Sequence, residues 1–139
     1  MYRVVFDVNV LVSSLITSGK SKELWLRARA NRFVLILSSE IISEFISVIS
    51  RGKFTKYVEE RDIELFLEAL NRTARFTRIR SDFKVIREDP ADDIILRTAY
   101  NGKADYIVSG DRHLLSLREF RGMRIVTAGE MLKLVEKQG

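Results

Sequence analysis

Short apolar runs alternate along the chain with longer segments in which apolar residues recur every three or four positions. The short runs are typical of buried strands, and the longer segments are typical of helices that pack by one face. Strands are predicted at residues 2–6, 33–37, 75–79, 106–109 and 124–126. Helices are predicted at residues 8–17, from 21 through 28, at 39–50, 59–73, 90–101 and 112–117, and from 128 onward. This alternation predicts a parallel sheet covered by helices on both faces.

Residues that cap helices fix several boundaries of these segments. N-caps are predicted at Ser21, at Ser38 or Ser39, at Asp89 before Pro90, and at Thr127, where Glu130 completes a capping box. Gly102 is a favourable residue to follow the helix that begins at Pro90. The stretch RGKFTKYV at 51–58 is a basic connection between two helices.

Two aspartates directly follow predicted strands. Asp7 interrupts the apolar stretch VVFDVNVLV, where an isolated buried charge would be costly. Asp111 follows the fourth predicted strand, after Ser109 and Gly110. Because ligands of open parallel sheets bind beyond the carboxyl ends of the strands, both acids are expected at such a site.

Two further acids are placed near this site by helical periodicity. Glu44 lies three residues after Ile41 and four before Val48, on or beside the apolar face of its helix. Asp92 lies three residues before Ile95, so the first turn of its helix is expected to direct it inward.

Each acid alone has an ordinary structural explanation. Asp7 is a suitable helix N-cap, Glu44 a partly buried glutamate bonded to a lysine, and Asp111 a turn residue. Asp92 and Asp93 would both favour the helix dipole. Together, however, four acids from separate segments are predicted at one end of one sheet. Two unit charges about 4 Å apart repel by roughly 4 kcal/mol at an effective dielectric constant near 20, so clustered carboxylates share protons or bind cations. An oxygen-only set suits Mg²⁺ or Mn²⁺.

Composition narrows the choice of chemistry and of partner. The 139 residues are expected to form one domain, with no cysteine and a single histidine, His113, which leaves no set of zinc ligands. No leader or membrane-length apolar stretch is evident, and the absence of cysteine suits a reducing cytoplasm. The net charge of +5 fits either an ordinary solvated surface or a polyanionic partner, with nucleic acid first.

The stretches VVFDVNVLVSSL, LSSEIISEFISVI, DPADDIIL and ADYIVSGDRHLL together resemble PIN-domain ribonucleases, most closely the VapC-type branch of toxin–antitoxin toxins. The resemblance implies a three-layer α/β/α sandwich with a mainly parallel sheet of about five strands, Mg²⁺- or Mn²⁺-dependent cleavage of RNA, and a dimer. The family's acidic set falls on Asp7, Glu44, Asp92 and Asp111.

Supporting positions follow from the same resemblance. Asn9 matches the small polar residue after the first acid, and Ser109 stands where threonine is more usual but retains the hydroxyl. A gapless match favours Asp92 as the direct metal ligand, which leaves Asp93 in the outer shell or facing solvent.

The expected activity is hydrolysis of an RNA phosphodiester by metal-bound water. Basic residues near the acids are expected to hold the RNA backbone: Lys20, Lys22, Arg51, Lys53, Lys56 and Arg112. Phe54 and Tyr57 offer surfaces on which unpaired bases can stack. An equal alternative is that the segment 51–58 is a solvated loop whose aromatic residues pack inward or into a dimer contact.

The partners expected are RNA, an antitoxin protein and a second copy of the chain. Five aromatic residues exceed what so small a core needs and therefore favour a homodimer, unless all belong to the core: Trp25, Phe45, Phe54, Tyr57 and Phe66.

Three alternatives remain at this stage. A non-catalytic RNA- or protein-binding module would retain the fold, although the complete acidic set argues against it. A phosphohydrolase with an aspartyl nucleophile would need a second aspartate where Asn9 stands. His113 is a less favoured general acid, since its position after Asp111 is typical of a surface residue.

Overall fold

The computed structural model describes residues 1–84 and 90–138. Its strands are β1 (Arg3–Phe6), β2 (Val34–Leu37), β3 (Arg75–Phe76), β4 (Tyr106–Val108), β5 (Glu119–Phe120) and β6 (Met123–Val126). Its helices are α1 (Val8–Ile16), α2 (Lys20–Arg29), α3 (Ser39–Ile49), α4 (Glu60–Thr73), α5 (Pro90–Asn101), α6 (Arg112–Leu117) and α7 (Ala128–Gln138). A short 3₁₀ turn, Gly52–Phe54, lies between α3 and α4.

The strands form one sheet in the order β3-β2-β1-β4-β6-β5. Every neighbouring pair is parallel except β5 with β6. In the central strand, Val5 pairs with Ile36 on one side and with Ile107 on the other. Val4, Val5 and Phe6 are fully buried, as expected for a strand covered on both faces. The three-layer α/β/α fold is thereby confirmed.

The sixth strand is the main departure from the expected sheet. β5 contains only two residues and pairs with β6 through a tight turn at Arg121 and Gly122, both of which have positive φ. Two residues are too few to form a recognisable apolar run. The third strand is likewise shorter than expected, since only Arg75 and Phe76 pair with β2.

Most helix boundaries agree with the capping pattern. Ser38 accepts a hydrogen bond from the Ile41 N–H, and Thr127 and Glu130 form the expected capping box. The expected cap at Ser21 is wrong, because α2 begins at Lys20 and its N-cap is Gly19, two residues earlier. The cap expected at Asp89 lies outside the described residues.

Helix α5 packs against β1, β2 and β4. Gly102 directly follows this helix, and its carbonyl oxygen accepts hydrogen bonds from the Arg3 guanidinium at 2.8 and 3.1 Å. Since Arg3 begins β1, the end of α5 lies at the amino edge of the sheet. The helix is about 18 Å long at 1.5 Å per residue. Its first turn therefore lies toward the carboxyl edge, where Asp7 follows β1.

Three of the five aromatic residues that favoured a dimer belong to the core. Trp25, Phe45 and Phe66 are buried, and their rings form a chain with centroid distances of 5.3 and 5.5 Å. Phe54 is half-buried, and Tyr57 is exposed. The aromatic argument for a dimer is therefore wrong for these three residues.

None of the helices formed by residues 1–84 and 90–138 has the length and apolar character needed to cross a membrane.

Candidate functional site

Asp7 is buried where β1 meets α1. Its backbone N–H donates to the Val108 carbonyl at 3.0 Å and continues the pairing of β1 with β4. Its Oδ1 accepts a hydrogen bond from the Val10 N–H at 2.9 Å, which makes Asp7 the N-cap of α1. The side chain is 4% exposed. The capping role is thus real, but it occupies one oxygen only.

The second oxygen of Asp7 is held by Ser109. The Ser109 hydroxyl donates to Oδ2 of Asp7 and accepts a hydrogen bond from the Asp111 N–H at 2.9 Å. Ser109 itself is fixed by its position after β4, where its N–H donates to the Val126 carbonyl. One buried hydroxyl therefore connects the two aspartates that follow adjacent strands.

Asp111 is the N-cap of α6 and is partly exposed. Its Oδ1 accepts hydrogen bonds from the N–H groups of His113 and Leu114 at 2.8 and 3.2 Å. This arrangement orients the carboxylate at the carboxyl edge of β4, next to Asp7.

Burial raises the pKa of Asp7 from its ordinary value of 3.8 to about 6. The hydrogen bonds from Ser109 and Val10 oppose this rise, and the negative charge of Asp111 adds to it. Only neutral hydrogen-bond donors lower the pKa of Asp7, and no cationic side chain of the described residues contributes. We call Asp7 and Asp111 the carboxylate pair. Neither acid forms an ion pair within residues 1–84 and 90–138, and two neighbouring carboxylates of this kind fit a bound divalent cation.

Asp92 and Asp93 are both buried in the first turn of α5. The expectation that Asp93 could face solvent is wrong, because only 4% of it is exposed. The choice of Asp92 as the direct metal ligand stays a prediction.

Glu44 is partly buried on α3, which packs against α1 and α5. Ser38 and Thr98 join the start of α3 to α5 by a hydroxyl–hydroxyl hydrogen bond of 2.8 Å. The alternative of a lysine partner for Glu44 is not observed, since the single ion pair within the described ranges joins Arg27 and Glu136.

No three acidic or histidine side chains in the described part of the chain are grouped closely enough to hold one ion. The structure connects Asp7 with Asp111, and it places Glu44 and Asp92 on helices that pack near them. The four-carboxylate metal site therefore stays a prediction.

The basic side chains expected to hold RNA are mostly at the surface. Five of them are exposed, namely Lys20, Arg51, Lys53, Lys56 and Arg112. Lys22 is partly buried, with its Nζ 3.5 Å from the Leu15 carbonyl oxygen.

Two of these lysines lie over aromatic rings within the basic connection. The Nζ of Lys53 is 5.1 Å from the centre of the Phe54 ring, and that of Lys56 is 5.8 Å from the centre of Tyr57. Each pair is adjacent in sequence, so the connection presents alternating charged and aromatic surface.

A groove of about 340 Å³ lies beside this connection, and its lining includes Lys22, Trp25, Arg29, Tyr57 and Phe66. Arg29 was not among the expected binding residues. Its guanidinium lies 5.9 Å from the centre of the Trp25 ring. The four-residue spacing of Trp25 and Arg29 in the sequence could have indicated this role of Arg29, because it places both residues on one side of a helix.

A smaller cleft, of about 150 Å³, lies next to the carboxylate pair. Besides Asn9 and Ser109, its lining includes Ser13, Ser21 and Thr127, which were not expected at the site. Serine and threonine are common in helices and at helix ends, so no sequence pattern distinguishes these three residues from ordinary polar positions.

Residues 3–113 match the family model of the PIN domain. This range covers most of the chain and contains Asp7, Glu44, Asp92 and Asp111, so the chain belongs to the PIN-domain family. PIN domains are generally nucleases, and they typically use divalent metal ions. A comparison with curated protein sequences gave no match.

Proposed function

We propose that this PIN-domain protein is a Mg²⁺- or Mn²⁺-dependent endoribonuclease. The observation that supports the proposal most is the carboxylate pair, in which buried Asp7 is connected to Asp111 through Ser109 and neither acid has an ion-pair partner within the described residues. Glu44 and Asp92 complete the proposed ligand set, with Asp93 in the outer shell. A divalent cation there lowers the pKa of bound water and stabilises negative charge on the phosphate.

The residues of the chain prepare this site before substrate arrives. With a pKa of about 6, Asp7 is mostly ionised at neutral pH and available as a ligand. Ser109 and the Val10 N–H hold its two oxygens in fixed directions. The chain has no cysteine, and His113 is exposed on α6. Water is accordingly the proposed nucleophile.

The proposed substrate is RNA, held by six basic residues, of which all but the partly buried Lys22 are exposed. Lys20, Lys22, Arg51, Lys53, Lys56 and Arg112 form no ion pair within residues 1–84 and 90–138. Their charges are therefore not neutralised by neighbouring carboxylates and can meet phosphate groups.

The direct test is incubation of the purified protein with mixed cellular RNA, first with Mn²⁺ and then with excess EDTA. Cleavage is expected with Mn²⁺ only, and Asp7→Asn is expected to remove it. Intact RNA under both conditions would favour a non-catalytic binding module. Cleavage that persists in EDTA would remove the metal-dependent mechanism.

We further propose that the protein acts in the cytoplasm as the toxin of a toxin–antitoxin pair. The support is the resemblance of the acidic stretches to VapC-type toxins. Induced expression in a bacterial host is expected to arrest growth with the native chain but not with Asp7→Asn. Co-expression of the protein encoded next to it is expected to restore growth. Growth unaffected by the native chain would contradict the toxin role while leaving ribonuclease activity in purified form possible.

A twofold homodimer is part of the same proposal, because twofold dimers are the commonest assembly and PIN relatives of the toxin branch are expected to form them. Partly exposed apolar side chains at Leu26, Ile46, Leu65 and Phe76 offer surface for such a contact. Light scattering of the purified chain at tens of micromolar is expected to give twice the monomer mass. A monomer mass would contradict the dimer.

A further inference from the structure

The small cleft beside the carboxylate pair has its own chemistry. Its walls carry the side chains of Asn9, Ser13, Ser21, Ser109 and Thr127. Ser109 belongs to both features, because the hydroxyl that bonds to Asp7 is carried by a residue of the cleft wall. A group bound in the cleft would therefore lie directly next to a group bound by the carboxylates.

Several polar groups of the cleft are available to a ligand. The hydroxyls of Ser13 and Ser21 and the side-chain amide of Asn9 make no hydrogen bond to residues 1–84 or 90–138, where only the backbone groups of these residues are bonded. The Thr127 hydroxyl is already bonded to Glu130, and Glu130 lines a neighbouring cleft instead. The lining itself thus contains hydroxyl and amide groups but no carboxylate.

A positive charge lies against the residue that follows Ala128 of the cleft wall. Lys20 directly precedes the wall residue Ser21, and Gly129 directly follows the wall residue Ala128. The Lys20 side chain lies across Gly129, where a Cβ would be 3.1 Å from Nζ and 3.2 Å from Cδ. The missing side chain at position 129 therefore lets the ammonium group approach the start of α7. Lys20 forms no ion pair with any carboxylate of the described ranges.

We propose that the cleft is a subsite for the RNA phosphodiester group next to the scissile one. Lys20 supplies the positive charge, and the hydroxyls of Ser13 and Ser21 supply hydrogen bonds to phosphate oxygens. This inference rests on the proposed ribonuclease function. The volume of about 150 Å³ accommodates a phosphate group but is too small for a complete nucleotide. The subsite would also bind the RNA strand next to carboxylates whose negative charge otherwise repels its phosphates.

The test measures binding of a fluorescein-labelled single-stranded RNA dodecamer to the full chain in EDTA, by anisotropy over a range of KCl concentrations. Lys20→Ala is expected to flatten the slope of log affinity against log salt by about 0.7 and to weaken binding about fivefold near 0.1 M salt. Lys137→Ala is the matched control, because it removes the same charge from an exposed position in the last turn of α7. It is expected to leave affinity and slope unchanged.

Gly129→Ala separates a binding role from a structural one. The added methyl group displaces the end of the Lys20 side chain, which is flexible, so the fold is expected to accommodate it. Alanine is also the better helix former, so the melting temperature should stay the same or rise while RNA affinity falls. A paired Ser13→Ala and Ser21→Ala variant should lower affinity without changing the salt slope, since it removes no charge.

Inorganic phosphate at matched ionic strength distinguishes a strand subsite from a site for the free anion. RNA is expected to shift the backbone amide signals of Ser21, Gly110 and Ala128 at far lower concentrations than phosphate does. Equal potency of phosphate would overturn the proposal, as would identical affinities and slopes for Lys20→Ala and Lys137→Ala. RNA that binds with the Lys20-dependent slope but stays intact with Mn²⁺ would support a phosphodiester subsite while removing the nuclease proposal. Mn²⁺-dependent cleavage with no effect of Lys20→Ala on binding would support the nuclease proposal and overturn the phosphodiester subsite.

Discussion

The Ser109 hydroxyl donates to Oδ2 of Asp7 while it accepts from the Asp111 N–H, so a single serine connects the two aspartates that follow the adjacent strands β1 and β4. The hydrogen bond to Asp7 favours the ionised form of that carboxylate, whereas burial disfavours it. Ser109 therefore adjusts both the direction and the charge of the residue that we place at the centre of the metal site.

Replacement of Ser109 should change the titration of Asp7. Ser109→Ala removes a donor to the carboxylate and leaves the Asp111 N–H without its acceptor, so the pKa of Asp7 is expected to rise above about 6. NMR titration of the Asp7 carboxyl carbon measures this directly. Ser109→Thr retains the hydroxyl and should stay near the native value. An unchanged pKa in Ser109→Ala would contradict the role of this hydrogen bond.

Asp7→Asn is expected to stabilise the metal-free protein at pH 7.5. The pKa of Asp7 rises on folding from 3.8 to about 6, so the folded chain binds more protons than the unfolded chain between these values. Stability contributed by the protonated form is full below pH 4 and is lost as pH rises through about 6. The rise of the Asp7 pKa from 3.8 to about 6 corresponds to about 3 kcal/mol as an upper value. Asparagine remains a good N-cap, so a gain of about 1–3 kcal/mol is expected.

Urea unfolding at a series of pH values measures this effect. Native protein should lose stability between pH 4 and pH 7, and Asp7→Asn should show a smaller decline. Glu64→Gln is the control, since it removes a carboxylate from an exposed position of α4 and should change stability by less than about 0.5 kcal/mol. A loss of stability in Asp7→Asn at pH 7.5 would show that the charge of Asp7 is compensated in the fold.

Metal binding should be visible as a thermal shift. Mn²⁺ is expected to raise the melting temperature of the native chain at pH 7.5, because a ligand that binds only the folded state stabilises it. The shift should shrink at pH 5, where protons compete for Asp7, whose pKa is about 6. EDTA should reverse it, and Asp7→Asn should show none. Equal shifts in the native chain and in Asp7→Asn would place any bound ion elsewhere.

Much of the fold follows from the sequence because parallel strands buried on both faces form continuous apolar runs. Stretches such as VVF and VLIL need no knowledge of their partners to be recognised, and Asp7 and Asp111 are conspicuous because they end such runs. The two-residue strand β5 escapes recognition because its conformation depends on its pairing with β6.

The cleft could not be anticipated for a different reason. Lys20 and Gly129 are distant in sequence and meet only because α2 packs against α7. The burial of Asp93 is equally hidden in the sequence, because the helical pattern identifies Ile95 as buried but does not show what covers the preceding turn. Burial of neighbouring aspartates in one turn requires contacts from several elements, which periodicity along one helix does not encode.

Gly102 follows α5 as the sequence predicts, but close packing is a second reason for glycine at this position. A Cβ there would lie 2.5 Å from Cγ2 of Ile36 and 3.0 Å from the Thr98 carbonyl oxygen. Gly102→Ala is therefore expected to destabilise the fold by about 1–3 kcal/mol through overpacking. Gly52→Ala is the control, because no heavy atom lies within 4 Å of the added methyl group. Comparable melting temperatures for the two variants would contradict the packing argument.

The basic connection at 51–58 is expected to hold the RNA backbone through Lys53 and Lys56. Both lysines are exposed and form no ion pair within the described ranges, and each lies over an aromatic neighbour that can stack with a base. The double variant Lys53→Ala and Lys56→Ala should flatten the dependence of log affinity on log salt by about 0.7 for each lost contact. Stability should barely change, because neither side chain is buried.

An inactive Asp7→Asn chain in metal-free buffer is the suitable background, since the RNA then stays intact during the titration. Lys133→Ala with Lys137→Ala is the control, because it removes the same two charges from exposed positions of α7. If the Lys53 and Lys56 variant retains the salt slope of its parent, the connection does not contact the RNA backbone. A flattened slope with unchanged unfolding would instead assign these lysines to the strand, because lost phosphate contacts alter the number of released counterions whereas a general loss of structure would lower stability as well.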